Sequence, residues 1–274
     1  MASHMRKMSL RTCGGVFKAT RERHVSLTWK GGDMDARYDN LLCGRYPMIF
    51  RDRHASMQCT AMCWGVACGN GWFTLIDTLC AEIQRHVDAA HVWPVVAVQV
   101  KEKFGALRFY ANGGDEYTRG LIWLADALSG YICEQCGAPA LSSGDGWIVT
   151  HCAEHGGVAF PLDQLNYGDD EDDPDEFYLV RPEKLAAWDR ARAFSLPPMR
   201  TRGWRHIARA LEETIRSDIR HNRMPCPIIH DSDESVALRY KWLGGDDQGR
   251  LAAMFRLCEA YAARCDRQTG MPEI

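Results

Sequence analysis

Cys133 and Cys136 enclose two residues, fifteen residues follow, and Cys152 and His155 again enclose two. Two short ligand pairs around a hairpin-sized insert have the spacing of a structural zinc ribbon or treble-clef knuckle, because a two-residue gap lets both side chains of one turn face a single ion. Gly137, directly after Cys136, permits the tight turn that aims backbone N–H groups at sulfur. With four protein ligands, tetrahedral Zn2+ has no open position, so its expected role is folding and not catalysis. His151, Glu154 and His155 also spell the H-x-x-E-H motif of inverted zinc proteases. That motif needs a continuous helix, which Cys152 and Gly156-Gly157 interrupt. A zinc deaminase would need an H-x-E triplet upstream and a proline where Ile132 stands. Cys59, Cys63 and Cys68, with Cys43 and His54 nearby, form a second cluster whose gaps match no common ligand pairing. Among Met57, Met62, Trp64 and Val66 the expectation is a core role, with a second metal as the alternative.

No nucleophile elbow, phosphate-binding P-loop or dinucleotide fingerprint occurs in the chain. His24, His54, His86, His91, His206, His221 and His230 pair with no nucleophile at a recognisable spacing, so no catalytic residue is assigned. The remaining enzymatic alternative is a metal-dependent one of unrecognised type, such as a nuclease recruiting His54, His230 and Asp231 in space. Asp163 to Glu176 contains eight acids, but not the alternating acids, central glycine and final glutamate of a calcium loop. It reads as an exposed linker.

A chain of 274 residues that is 46% hydrophobic and 25% charged excludes disorder throughout, and no apolar stretch is long enough to span a membrane. Twelve cysteines without a secretory pattern at the start suggest a reducing, cytoplasmic setting in which thiols serve as metal ligands or core residues. The first five residues, Met1 to Met5, read as a cloning remnant, and His4 is left out of the site reasoning. Charge is uneven: residues 1–111 carry a net +6 and residues 112–274 a net −9. Neither excess has the density of a dedicated nucleic-acid domain.

The elements that must position these residues follow from periodicity. Leu75, Ile76, Leu79, Ile83 and Val87 predict a helix over 73–88 after the Gly71-Trp72 pair. The run from Val95 to Val100 and the alternating Leu107 to Tyr110 predict a hairpin, with Lys101 to Gly105 as a polar connection. Gly113-Gly114 ends the second strand, and Asp115 is the expected N-cap of a helix through Leu128. About 132 residues on, the order returns: Gly203-Trp204, Leu211, Ile215 and Ile219, then Leu238-Arg239-Tyr240, Gly244-Gly245-Asp246 and Arg250. The expected fold class is therefore α+β, an internally duplicated helix-strand-strand-helix unit with a zinc knuckle. The hairpins of both copies should pair into one small four-stranded sheet covered by helices. The organisation reads as a basic arm over 1–40, a first unit with the knuckle over 41–157, an acidic connecting segment over 158–200 and a second unit over 201–274. Around Cys265 no second cysteine pairs, and Arg264 and Arg267 flank it, so the second unit is expected to hold no zinc.

The strings Cys68-Gly-Asn-Gly-Trp72-Phe, Gln99-Val-Lys-Glu-Lys-Phe-Gly105-Ala-Leu-Arg-Phe-Tyr110 and Cys133-Glu-Gln-Cys136-Gly-Ala-Pro139 resemble those of uncharacterised phage and prophage proteins. The resemblance covers residues 41–157 and implies a phage setting and a zinc knuckle, not a mechanism. Arg108 and Arg239 sit at equivalent strand positions, where alternation sends them to the face opposite their apolar neighbours. With Lys101, Lys103 and Tyr110, Arg108 could grip phosphate or an acidic surface; the alternative is a solvated face with salt bridges to Glu102 or Asp115. Trp72 and Trp204 read as packing anchors. The expected function is that of a non-enzymatic accessory protein binding a host protein or complex, a host-defence component by the resemblance. Nucleic-acid binding is the second reading.

Overall fold

The computed structural model describes residues 33–164, 182–222, 224–244 and 249–273. Most of the basic arm, the acid run Asp169 to Asp173, and Gly245 and Asp246 lie outside these residues. In chain order the helices are α1 (Ala36–Arg45), α2 (Phe73–Ala90), α3 (Glu116–Ser129), α4 (Pro182–Ala193), α5 (Arg205–Asn222) and α6 (Arg250–Ala262). The strands are β1 (Val66–Ala67), β2 (Val96–Lys103), β3 (Ala106–Asn112), β4 (Ala140–Ser143), β5 (Val149–His151), β6 (Val158–Ala159), β7 (Ile228–Asp233) and β8 (Arg239–Leu243). The fold is α+β.

Helical spacing places the core. On α2, Leu75, Ile76, Leu79 and Ile83 are buried; on α5, Ile207, Leu211, Ile215 and Ile219 are. Trp72 and Trp204 open these helices from short 3-10 turns and are themselves buried, Trp72 Nε1 donating to Ile132 O at 2.8 Å. The Asp115 carboxylate caps α3 by accepting from Thr118 N at 3.0 Å, as its position predicts. Two elements arise where the sequence shows little pattern. Helix α1 crosses the boundary drawn at residue 40, and α4 lies in the connecting segment, burying Ala187, Trp188 and Ala191.

The sheets correct one expectation. β2 and β3 form the antiparallel hairpin, but its partner is β1, which runs parallel to β2 with Val66 opposite Val100. β7 and β8 form a separate two-stranded sheet, so no four-stranded sheet joins the halves. Helices join them instead. Gly120 on α3 lies so close to α6 that a Cβ there would sit 2.5 Å from Arg250 O. Two carboxylates on α2 are clasped from α6: Arg264 reaches Asp77 at 2.7 Å and Arg256 reaches Glu82 at 2.9 Å. Burial alone would raise the Asp77 carboxyl, but hydrogen bonds from Arg45, Arg264 and Tyr46 outweigh it and hold it below the usual range. Breaking one partner of such a buried pair strands a charge, which fixes the helix register more than it adds stability.

Local geometry recurs in both halves. Each hairpin shifts register at the same place, between Ala97 and Gln99 and between Ile229 and Asp231. After α3, Ile132 bridges Pro139; after α6, Cys265 bridges Pro272. Within these turns Gly137 N donates to Cys133 O at 2.8 Å, and Gly270 N to Asp266 O at 2.9 Å. Both glycines are left-handed, with φ of 83° and 72°. The turns also pack on each other reciprocally: a Cβ at Gly137 would lie 2.7 Å from Pro272 Cγ, and one at Gly270 2.7 Å from Pro139 Cγ.

His206 on α5 is fully buried, edge-on to Phe160 at 6.0 Å. Burial pushes its imidazole down to about 3. Because the folded value lies below the unfolded one of about 6.5, the stability from keeping His206 neutral is present above that pH and is lost as pH falls toward the folded value. His206→Phe is expected to lose about 2 kcal/mol less stability than the wild type between about pH 7 and about pH 5, as denaturant titrations at the two pH values will measure.

Candidate metal centre and basic hairpin face

The turn after α3 presents Cys133 and Cys136. β4 then runs out to a loop, β5 returns, and a 3-10 turn over Ala153–His155 delivers His155 beside Cys152. Among the described residues this is the one group of three or more His, Cys, Asp or Glu side chains placed to hold an ion, its four ligand atoms all within 4.8 Å of one another. Cys136 Sγ lies 3.7 Å from Cys152 Sγ, and His155 Nδ1 lies 3.5 Å from Cys133 Sγ and 3.3 Å from Cys152 Sγ. Tetrahedral coordination with metal–sulfur bonds of about 2.3 Å requires sulfurs about 3.8 Å apart, so the cluster has the dimensions of a metal site. Cys133 and Cys152 are buried and His155 is exposed, which leaves one side of the cluster open to solvent. Burial drives the Cys136 thiol up, to about 12, with Cys133 and Cys152 adding to the rise. At Cys152 burial also opposes ionisation, but bonds with His155 outweigh it and bring the thiol to about 7. A bound cation removes that conflict by favouring the thiolate at every sulfur.

The other cysteine readings separate. Cys68 is buried, Cys59 is exposed and Cys63 Sγ donates to Thr60 O at 3.3 Å, so these three do not gather into a ligand set. His151 sits in β5 and not on a helix, which removes the protease geometry.

The second half holds the same turn by other chemistry, at residues that sequence reasoning missed. Matched by their bridges and their turn hydrogen bonds, the two turns have Asp266 at the position of Cys133 and Thr269 at that of Cys136. The Asp266 carboxylate accepts from Thr269 N at 2.7 Å, Thr269 Oγ1 at 2.8 Å and Gln268 N at 3.0 Å, and these bonds hold it below the usual carboxylate range. The signal was readable. Cys-Glu-Gln-Cys-Gly-Ala-Pro over 133–139 and Asp-Arg-Gln-Thr-Gly-Met-Pro over 266–272 share Gln, Gly and Pro in register, whereas the sequence reading centred on Cys265, which matches Ile132.

The β2–β3 register places Gln99 opposite Tyr110, Lys101 opposite Arg108 and Lys103 opposite Ala106. Lys101, Lys103, Arg108 and Tyr110 therefore share one face of the hairpin, while Val100, Leu107 and Phe109 are buried on the other. Lys101 Nζ stands 5.9 Å from the Tyr110 ring centroid and Lys103 Nζ 5.1 Å from that of Phe104. Arg108 is tied to Asp126 on α3, not to Glu102 or Asp115, and Asp115 is engaged with His86. Arg239 is tied in the same way to Glu259 on α6, at 3.4 Å. The two faces differ otherwise: the pair matching Lys101 and Arg108 is Asp233 and Arg239, and Lys241 stands at the place of Tyr110. Only the first hairpin carries a basic and aromatic face. A groove of about 330 Å³ under Ser195–Met199 is lined by Arg205, Arg209, Glu212 and Arg216, whose guanidiniums are engaged by carboxylates and backbone carbonyls.

The connection predicted over Lys101 to Gly105 is shorter than expected. β2 continues to Lys103, and only Phe104 and Gly105 make the turn, both left-handed with φ of 57° and 74°. Such two-residue turns favour Asn-Gly or Gly-Gly, which is why a phenylalanine there gave no turn signal. The left-handed conformation costs an ordinary side chain about 1 kcal/mol, and Phe104 recovers little of it by burial, since 65% of it is exposed. Phe104→Asn is therefore expected to raise unfolding stability by about 1 kcal/mol in denaturant titrations.

No family model matches the chain, and no curated protein and no solved structure matches it.

Proposed function

We propose that the chain is a non-enzymatic, phage-type accessory protein that docks onto a host macromolecule, a component of host defence being the natural target, and that its ion is structural zinc. The observation that carries the docking reading is the single hairpin face on which Lys101, Lys103, Arg108 and Tyr110 stand together, with Phe104 at its tip. It is built on a strand pair backed by the core, so its side chains are presented by a rigid element. Support for zinc comes from the donor set of three sulfurs and one imidazole, the ligand spacing and the distances. With every coordination position taken by protein, the ion's work is to hold the Cys133 turn against its counterpart at Asp266. The two halves are, in this reading, copies of one unit, of which the first kept the metal and the second replaced it with Asp266. The setting is the host cytoplasm, where metal-bound thiols stay reduced. The phage character rests on the resemblance of residues 41–157.

Elemental analysis of the purified chain is expected to return one equivalent of zinc, and Cys136→Ser to lose it. Chelation should lower the melting temperature of the wild type and leave that of the zinc-free variant unchanged.

Docking is tested by recovering partners from host lysate with the wild type and with Lys101→Glu/Lys103→Glu. The charge-reversed chain is expected to lose its partner by tenfold or more, on the order of 1.4 kcal/mol, while melting like the wild type. Equal recovery by both chains would refute the assignment of this face.

A further inference from the structure

Resting on the docking reading above, we propose that the tip of the first hairpin and the loop beside it bind single-stranded nucleic acid, with Phe104 and Trp147 as stacking platforms for bases and Lys101 and Lys103 as phosphate contacts.

Three observations converge on this patch. The first is the placement of Phe104. It occupies a left-handed turn position that favours asparagine or glycine, and its ring stays in water. A large aromatic kept at a conformational cost and without burial is explained by something that covers it from outside. The second is Trp147, 78% exposed in the loop between β4 and β5. The two tips are locked side by side: Thr150 Oγ1 donates to Gly105 O at 2.6 Å, and a Cβ on Gly105 would touch Ile148 Cγ2 at 3.0 Å. Their relative position is therefore set by the backbone and does not depend on the partner. The third is charge. Lys103 stands over the Phe104 ring and Lys101 over Tyr110, so these two rings of the hairpin each have an ammonium at a face. The intervening Glu102 is turned away, its Oε1 accepting from Gly105 N at 2.7 Å. Asp145, in the loop with Trp147, discourages phosphate there and leaves that ring to bases.

Aromatic rings flanked by lysines suit a chain that offers alternating π-faces and negative charges, which describes an unpaired strand. In a duplex the bases are stacked on one another and hidden from such rings. The patch also presents no helix to enter a major groove.

Fluorescence anisotropy of the full, zinc-loaded chain with oligothymidylate and oligouridylate of roughly 20 nucleotides, and with a duplex of the same length, tests the proposal. Saturable binding of the single strands is expected, weaker for the duplex and falling as salt rises from about 50 to about 200 mM. Phe104→Asn and Trp147→Ala should each weaken it about tenfold, consistent with the loss of one stacked base. The Phe104→Asn chain should do so while melting no lower than the wild type, which a merely structural residue would not do. Absence of saturable binding at low salt, equal affinity for the duplex, or affinity unchanged in both variants overturns the proposal. If oligonucleotides fail to bind while Lys101→Glu/Lys103→Glu still loses a protein partner, this inference falls and the docking reading stands. If the charge reversal changes no interaction at all, both fall.

Discussion

Two tight turns, Cys133–Gly137 and Asp266–Gly270, lean on each other through their glycines and prolines, at a seam between the two halves of the described residues. Neither glycine can carry a side chain, because each Cβ would collide with the proline of the opposite turn. The turns must therefore be held in shape from within. The second does so with one carboxylate that gathers three hydrogen bonds. The first offers three thiols and an imidazole at coordination distance, a set whose sulfurs can all ionise only when a cation sits among them. A site able to hold a metal ion thus lies at the seam between the two turns. The helices α3 and α6 that lead into the two turns cross at Gly120, so the seam also sets how the halves meet.

From the seam outward, the architecture separates support from presentation. Helices α2, α3, α5 and α6 bury their apolar stripes in one core and fix their register with the Asp77–Arg264 and Glu82–Arg256 pairs. Each hairpin lies on the helices of its own half, as Trp242 does on Phe255 at 4.4 Å. That arrangement leaves one face of each hairpin to solvent. Similar backbones then carry different surfaces: lysines and tyrosine on one, mixed charge on the other. A shared backbone constrains the core side of a strand and not the solvent side, which is free to diverge.

What the sequence made legible follows from which signals are local. The stripe Leu75, Ile76, Leu79, Ile83 and the cap Asp115 announce α2 and α3 because burial and capping each depend on spacing within a few residues. The ligand pairs 133/136 and 152/155 are legible because coordination fixes gaps. Partnering between elements is not local. That β2 pairs with a two-residue β1, and that hairpins stay apart while helices meet, depends on close approach at Gly120 and on contacts far apart in sequence. Lys101 to Gly105 reads as a connection because its turn uses Phe104, which breaks the usual chemistry of such turns. Asp266 and Thr269 are not legible because a carboxylate that closes such a turn by hydrogen bonds leaves no cysteine to count. The roles of Lys101, Lys103, Arg108 and Tyr110 were legible only as a shared face, since alternation dictates sides and not partners.

The unequal strand count of the two hairpins has its own consequence. β1 closes off the outer side of β2, whereas among the described residues β7 and β8 form a sheet of two strands without a third. The edge of so short a sheet is where growth between molecules would begin, above all when apolar residues such as Ile228 and Leu243 stand exposed across from each other at its end. The strand carries acids at alternate places, Asp231 and Asp233, in the positions where the first hairpin has Gln99 and Lys101. Like charges brought together by a growing sheet repel, so acids at these places guard the second hairpin against fibril-like self-assembly.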